Sequence, residues 1–401
     1  MPTEKDFVGV PFNECLSQVR SGPPASAFLA VPSPQELHAI YARGYQGVRP
    51  DSPTPEDKKS FREMMAAMPS LYEAFPWAKG IGKDKVNCPY AAILKFFPDW
   101  GGQDAQERGD CTVHGTYNAV YVDYAIDALF GETKWMGPLA CENIYRSRGF
   151  SSDGWSCEAP CTYVGPNGRG GMLYRKVWES GSERVDLSRY NSSWSGNGRA
   201  GVPSWMEAES QKNKIKLVIP IRNPEEHRDA LAIGFGINVC SGQGFSSSTD
   251  EFGVARASGS WSHSMAHTAN IDTLWARSKY GDMIGGIQQS WGNWNTINGK
   301  PEGSPKMPIG MFYSKISTIA SMLRGEDSFA MCGLFGWERT NWEAFVVMED
   351  PMWRFNAADY KAGVMKYLNT STARDYYVQR AERLSQFVTK VVDENQQFLS
   401  V

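Results

Sequence analysis

Between Cys111 and Gly131 the apolar residues Val113, Tyr117, Val120, Tyr121, Tyr124 and Ala128 recur at helical spacing, which predicts a long buried helix that starts at Cys111. A second helix is predicted in "GMLYRKVWESG", between two glycines. A third is predicted in "NPEEHRDALAIG", which opens with Asn-Pro and early carboxylates as helix starts do. After about residue 235 the pattern shortens to "FGINVC", "HSMAHTANI", "GDMIGGIQQ" and "IGMFYSKI". Each is bounded by Gly, Ser, Asn or Asp and reads as a strand. Helices first and strands later predict an α+β fold, with a helical lobe against an antiparallel sheet lobe.

The two ends read differently. Residues 1–100 are broken by Pro and Gly, with one helical stretch, "PEDKKSFREMMAAMPSLYEAF", and are expected to form an extension wrapped on the core. Residues 101–335 form the expected central domain, and 336–401 a helical C-terminal extension. There Tyr377, Ala381, Leu384, Val388 and Val391 make an amphipathic stripe suited to the core or to an assembly partner.

Charge and composition narrow the function classes. A formal charge of −3, spread over interspersed acids and bases, gives no footprint for nucleic acid or an anionic membrane. No apolar run approaches the roughly 18–20 residues of a membrane span, and the first residues lack a secretory signal pattern. The expectation is a soluble chain made in the cytoplasm. The cysteines, at 15, 88, 111, 141, 157, 161, 240 and 332, lack the density of a disulfide scaffold and are expected to be mostly reduced and buried. Cys157 and Cys161 are the one close pair, suited to a small loop disulfide or to no special role.

Candidate chemistry centres on "GDCTVHG". A cysteine at a helix start meets unpaired backbone amides and the positive end of the dipole, which favour a thiolate; a small buried hydrophobe would look the same. A nucleophilic thiol needs a base. His114 lies one turn along the same helix, whereas His263 sits on the predicted strand "GSWSHSMAHTANID". Met265 and His267 share its face, and His267 reads as a core histidine. The His263–His267 spacing would suit zinc only on a helix with a third ligand, so no metal is expected, and no cofactor motif is present.

The order Cys111, His263 and then Gln289 in "QQSWG" resembles the papain-like cysteine peptidases. In that family a cysteine attacks, a histidine carries the proton, and an amide beneath a tryptophan orients the imidazole. "NGRGGMLYRKVWESGS" looks like the family's glycine segment, with Gly170 and Gly171 open to a substrate backbone. "GGQDAQERGDC" resembles the segment that supplies a glutamine, here Gln106, to the oxyanion hole, and "MFYSKI" occupies the place of the last core strand. A looser group of bacterial and phage proteins of this type is similar in carrying "GDC", "VCSGQGF", "GSWSHSM" and "QQSWG" in this order.

The resemblance implies a papain-like fold that cleaves a peptide or protein substrate through Cys111, His263, Gln289 and Gln106, with Trp291 shielding the imidazole. The sequence departs from the family pattern in four ways: Gln289 stands where an asparagine is usual, Gln106 is only five residues before Cys111, Trp291 and Trp294 are one residue closer together than usual, and Thr112 replaces an aromatic residue. These departures, with the extensions at both ends, support the alternative of a papain-fold structural protein without turnover, including a phage virion component.

Overall fold

A computed structural model of the chain describes residues 69–399, apart from 102–104, 166–167, 293–298, 326 and 336–370. Its centre is a seven-stranded antiparallel sheet. In chain order the strands are β1 (Val86–Asn87), β2 (Lys214–Pro220), β3 (Ile237–Thr249), β4 (Ala255–Ile271), β5 (Ile284–Gln288), β6 (Met311–Lys315) and β7 (Ser328–Phe335). They lie side by side as β6-β5-β4-β3-β7-β2, and β1 pairs with the far end of β4. The fold is therefore α+β.

Both faces of the sheet are covered. On one lies α2 (Cys111–Leu129), joined by α1 (Tyr90–Phe96) and α3 (Glu158–Val164) in a single apolar cluster with Met331 and Leu334 of β7. On the other, α4 (Pro224–Ile233) and α5 (Ile316–Leu323) pack on Ile237, Val239, Met265 and Ile287. A sheet buried on both faces has no polar side to show, so its strands read as continuous apolar runs. That is why β7, "SFAMCGLF", carries no alternation, and why β2, "KIKLVIP", alternates only over its first four residues; both are absent from the sequence reading.

The helix expected at Cys111 is present, and nearly every residue in it is buried. Its close seat on the sheet depends on two glycines. A side chain at Gly115 would overlap Asn238 Oδ1 and Ser264 Oγ, and one at Gly236 would overlap the backbone of Ala119. α4 also follows its sequence signals: Asn223 caps Glu226 N–H at 2.8 Å, Pro224 fills the first turn, and Gly234 ends the helix in the left-handed conformation at φ 95°.

The stretch 171–181 differs from expectation. It forms no helix: Leu173–Tyr174 pairs with Leu139–Ala140, and Val177–Ser180 forms a hairpin with Glu183–Asp186. The glycine read as a helix stop is Gly181, which reverses the hairpin at φ 60°, and Trp178 is the buried anchor. Part of the segment assigned to the N-terminal extension is also core, since β1 is a sheet strand and α1 packs with α2. Most of "PEDKKSFREMMAAMPSLYEAF" lies outside the described residues; Leu71–Ala74 is a short helix capped by Ser70.

The C-terminal stripe runs along α6 (Ser371–Leu399) and is spent on the chain's own core. Tyr377, Ala381, Leu384 and Val388 are buried, with Val392 in place of Val391. Buried Arg380 fixes the contact by pairing with Asp123 and Asp127 of α2 and donating to the Ile233 carbonyl at 3.2 Å. Among the described residues no helix is long and apolar enough to cross a membrane.

Cysteine pairing departs from the local reading. Cys157 is bonded to Cys240 of β3, 83 residues away, and Cys161 stays free beside Thr116 and Asn238. The start of α3 stands against β3, so the nearest sulfur in space is not the nearest in sequence. The other free cysteines of the described residues, Cys88, Cys111, Cys141 and Cys332, are buried as expected.

The tight seat of α2 gives a first prediction. Gly115→Ala should destabilise the protein by about 1–3 kcal/mol, because an added methyl there forces helix and sheet apart. Urea unfolding of the variant against wild type measures this, and an unchanged midpoint would contradict it.

Candidate functional site

Cys111 is the first residue of α2, and Asp110 before it is the N-cap. Asp110 is buried; it accepts from the Tyr190 hydroxyl and lies 3.6 Å from His114 Nε2. His114 thus turns to Asp110 along its own helix. His263 comes from β4, opposite Ser241 of β3. Beyond it the register slips by one residue, since Gln243 pairs with Ser260, and a bulge of this kind re-aims the neighbouring side chain.

Cys111 and His263 line one small cavity of about 20 Å³, together with Gly109, Thr112, Gly154, Trp155, Ser262, Ser264 and the disulfide Cys157–Cys240. Trp291 stacks on the His263 ring at a centroid distance of 4.5 Å and 30° between planes, and Trp261 meets Trp291 edge-on at 4.9 Å. The imidazole is thereby walled by indoles. Trp294 and Asn293 of the same stretch lie outside the described residues.

The electrostatics run against the thiolate expected at a helix start. Burial pushes the Cys111 thiol up to about 12, and the Asp110 charge adds to this, although the backbone amides of Ser264, Thr112 and Cys111 pull the other way. Burial likewise pushes His263 down to about 3, with His114 adding to the effect. Both groups are neutral in this closed arrangement, because the charge lost from water outweighs the half-charge of the helix end.

Gln289 lies at the end of β5, with its side chain folded onto its own turn. Its oxygen accepts the Trp291 backbone N–H, and its nitrogen donates to the Gly292 carbonyl at 2.9 Å. The amide therefore shapes the turn that presents Trp291 to His263. Gln106 is fully buried and bridges two loops: its backbone N–H donates to the Ser290 carbonyl at 2.7 Å, and its side-chain oxygen accepts from the Ser290 hydroxyl. Its amide nitrogen donates to the Arg108 carbonyl at 2.8 Å. Gln106 thus lashes the loop before Cys111 to the turn beneath Trp291.

Gly170 and Gly171 do not line the cavity. A side chain at Gly170 would overlap the Tyr163 ring, and one at Gly171 the backbone oxygens of Ser210 and Asn213, so both glycines serve packing. The position beside Cys111 belongs instead to Gly154, whose N–H donates to the Gly109 carbonyl at 3.1 Å. No local spacing in the sequence marks this approach, which tertiary packing creates. His267 sits in the core, its Nδ1 at 2.9 Å from His227 Nε2. Among the described residues no group of three or more His, Cys, Asp or Glu is placed to hold a metal ion.

No family model and no curated protein matches the chain. Among solved structures it is similar to xylellain, a cysteine protease from Xylella fastidiosa, with 15% identity, TM-score 0.41, and coverage of 70% of this chain and 90% of that one. It is also similar to procathepsin B S9 from Trypanosoma congolense, at 8% identity and TM-score 0.37, covering 62% of this chain and 77% of that one. A third is digestive procathepsin L 3 of the Tenebrio molitor larval midgut, at 13% identity and TM-score 0.37, covering 80% and 98%. At these identities the likeness concerns the fold alone.

Two predictions follow from the site's geometry. Gln289→Ala should slow alkylation of Cys111 and cost about 1–3 kcal/mol, because the turn that holds Trp291 on His263 loses two hydrogen bonds. Gln289→Asn should retain more of both; alkylation and melting of the three proteins decide it, and an unchanged rate in Gln289→Ala removes Gln289 from the site. The second concerns acid. His227, His263 and His267 are all held neutral by burial, with pKa values lowered from the ordinary histidine value. Their stabilising share is complete above about pH 6.5 and is lost as pH falls below it, toward about 3 for His227 and His263, at about 1.4 kcal/mol per pH unit for each histidine that unfolding allows to protonate. Urea midpoints between pH 7 and 4 should fall accordingly, and a flat profile would refute it.

Proposed function

We propose that the chain is a papain-like cysteine hydrolase that cleaves a peptide or related amide bond through a thioester on Cys111. The observation that carries this reading is the shared cavity: a thiol at the start of a buried 19-residue helix faces the same small space as an imidazole stacked beneath Trp291. A nucleophile and a base of suitable type, set on rigid elements that meet, are what acyl transfer needs.

In this reading Cys111 Sγ attacks the carbonyl carbon, and its proton passes to His263. The protonated imidazole then delivers the proton to the leaving amine, and water, deprotonated by neutral His263, releases the acid. Gln289 acts on His263 through Trp291, and Gln106 holds the two loops in register. The neutral forms favoured by the closed cavity give way to the thiolate–imidazolium pair when the walls part and water or a substrate's dipoles replace the apolar surroundings.

One observation favours a second reading, a papain-fold protein without turnover: Cys111 and His263 are each only 4% exposed. Treatment with iodoacetamide near neutral pH, without reductant and followed by mass mapping, separates the two. The hydrolase reading expects Cys111 to be the cysteine modified, in the full chain or after limited proteolysis. A Cys111 unreactive in both would favour the inert protein.

A further inference from the structure

The wall of the cavity includes Trp155, a residue that the scheme above does not use. Trp155 is 4% exposed and lines the cavity with Cys111, and its indole N–H, closed to solvent, has no hydrogen-bond partner among the described residues. A buried polar group left unmade costs about 1–3 kcal/mol, so it marks either a defect or a place for a ligand atom.

Its surroundings favour the ligand. The loop bearing Trp155 is tied to the loop just before Cys111 at two points: Arg108 Nε donates to Asp153 at 2.9 Å, and Gly154 N–H donates to the Gly109 carbonyl at 3.1 Å. Gly154 N–H also lies 3.0 Å from the Tyr145 hydroxyl, which holds the loop from below. The indole is therefore fixed relative to the helix start, and a fixed donor costs no reorganisation when charge develops beside it. The cavity's 20 Å³ takes about one water-sized atom. Thr112, which also lines it, has a buried hydroxyl without a partner among the described residues. Gln106, the donor that the family resemblance would put here, has its amide N–H directed to the Arg108 carbonyl.

We propose that the indole N–H of Trp155 receives the carbonyl oxygen of the substrate and stabilises it as an oxyanion, beside the backbone N–H groups at the start of α2. The ligand class is an amide or peptide carbonyl. As Cys111 Sγ forms its bond to the carbonyl carbon, the π pair moves onto the oxygen and the thiol proton moves to His263; the indole N–H faces the new charge. This role rests on the nucleophile assignment to Cys111.

An acetyl-dipeptide aldehyde tests the two separately. Addition of Cys111 gives a hemithioacetal, in which the sulfur–carbon bond forms and the thiol proton ends on the former carbonyl oxygen. Iodoacetamide alkylates the same sulfur without building any such oxygen. Trp155→Phe, which keeps an aromatic side chain and removes the donor, should raise the aldehyde concentration that half-protects Cys111 from alkylation by about tenfold or more, a far larger change than in the alkylation rate itself. Equal protection in the variant and wild type overturns the Trp155 role and leaves a trapped water as its partner. A wild-type Cys111 that neither reagent modifies, before or after limited proteolysis, overturns the nucleophile, and the Trp155 role with it. Should the variant fail to fold, wild-type protein labelled with ¹⁵N-tryptophan gives the answer: one indole N–H resonance moves downfield with aldehyde and not with iodoacetamide, and no such movement overturns the proposal.

Discussion

Everything at the candidate site depends on how closely α2 lies on the sheet. Gly115 lets the helix press against Asn238 and Ser264, and Gly236 lets β3 press against Ala119. That approach puts the helix start, and so Cys111, beside the strand that carries His263. It also buries the helix almost completely, and three of its polar residues find partners within the fold: Asn118 accepts from the Trp100 indole at 3.1 Å, and Asp123 and Asp127 meet Arg380. The C-terminal helix is thus part of what holds the Cys111 helix in place, through charges that would be costly to bury alone.

The two glutamines show how a turn can be built from side-chain amides. Gln289 closes the turn of Trp291, and Gln106 joins that turn to the Cys111 loop through Ser290. Neither needs to touch a reacting atom to matter, since each sets where an aromatic wall or a helix start stands. A change of about 1 Å in such positions is enough to alter a rate a hundredfold.

What could be read in the sequence was what depends on near neighbours. The start of α2 at Cys111 and the limits of α4 follow from periodicity, Asn223-Pro224 and Gly234, all of which act within a turn or two. The expected strands at 237, 284 and 311 were legible from their turn residues. The hairpin after Leu173 was not, because glycines flank helices and hairpins alike, and β2 and β7 were hidden by burial on both faces. At the site, Cys111 and His263 were legible as residue types on suitable elements. The partners of Gln106 were not, since Ser290 is 184 residues away, and nor was the approach of Gly154 and Trp155. Contacts of that range are decided by tertiary packing, which no local pattern encodes.

The bond between Cys157 and Cys240 joins the two walls of the cavity at one point, where their Cα atoms are 6.3 Å apart. A covalent tie so placed makes the cleft a door with a fixed jamb: the walls can turn about it but cannot slide apart. Any widening of the space between those walls is therefore a rotation about the tie, widest at the edge farthest from the sulfurs.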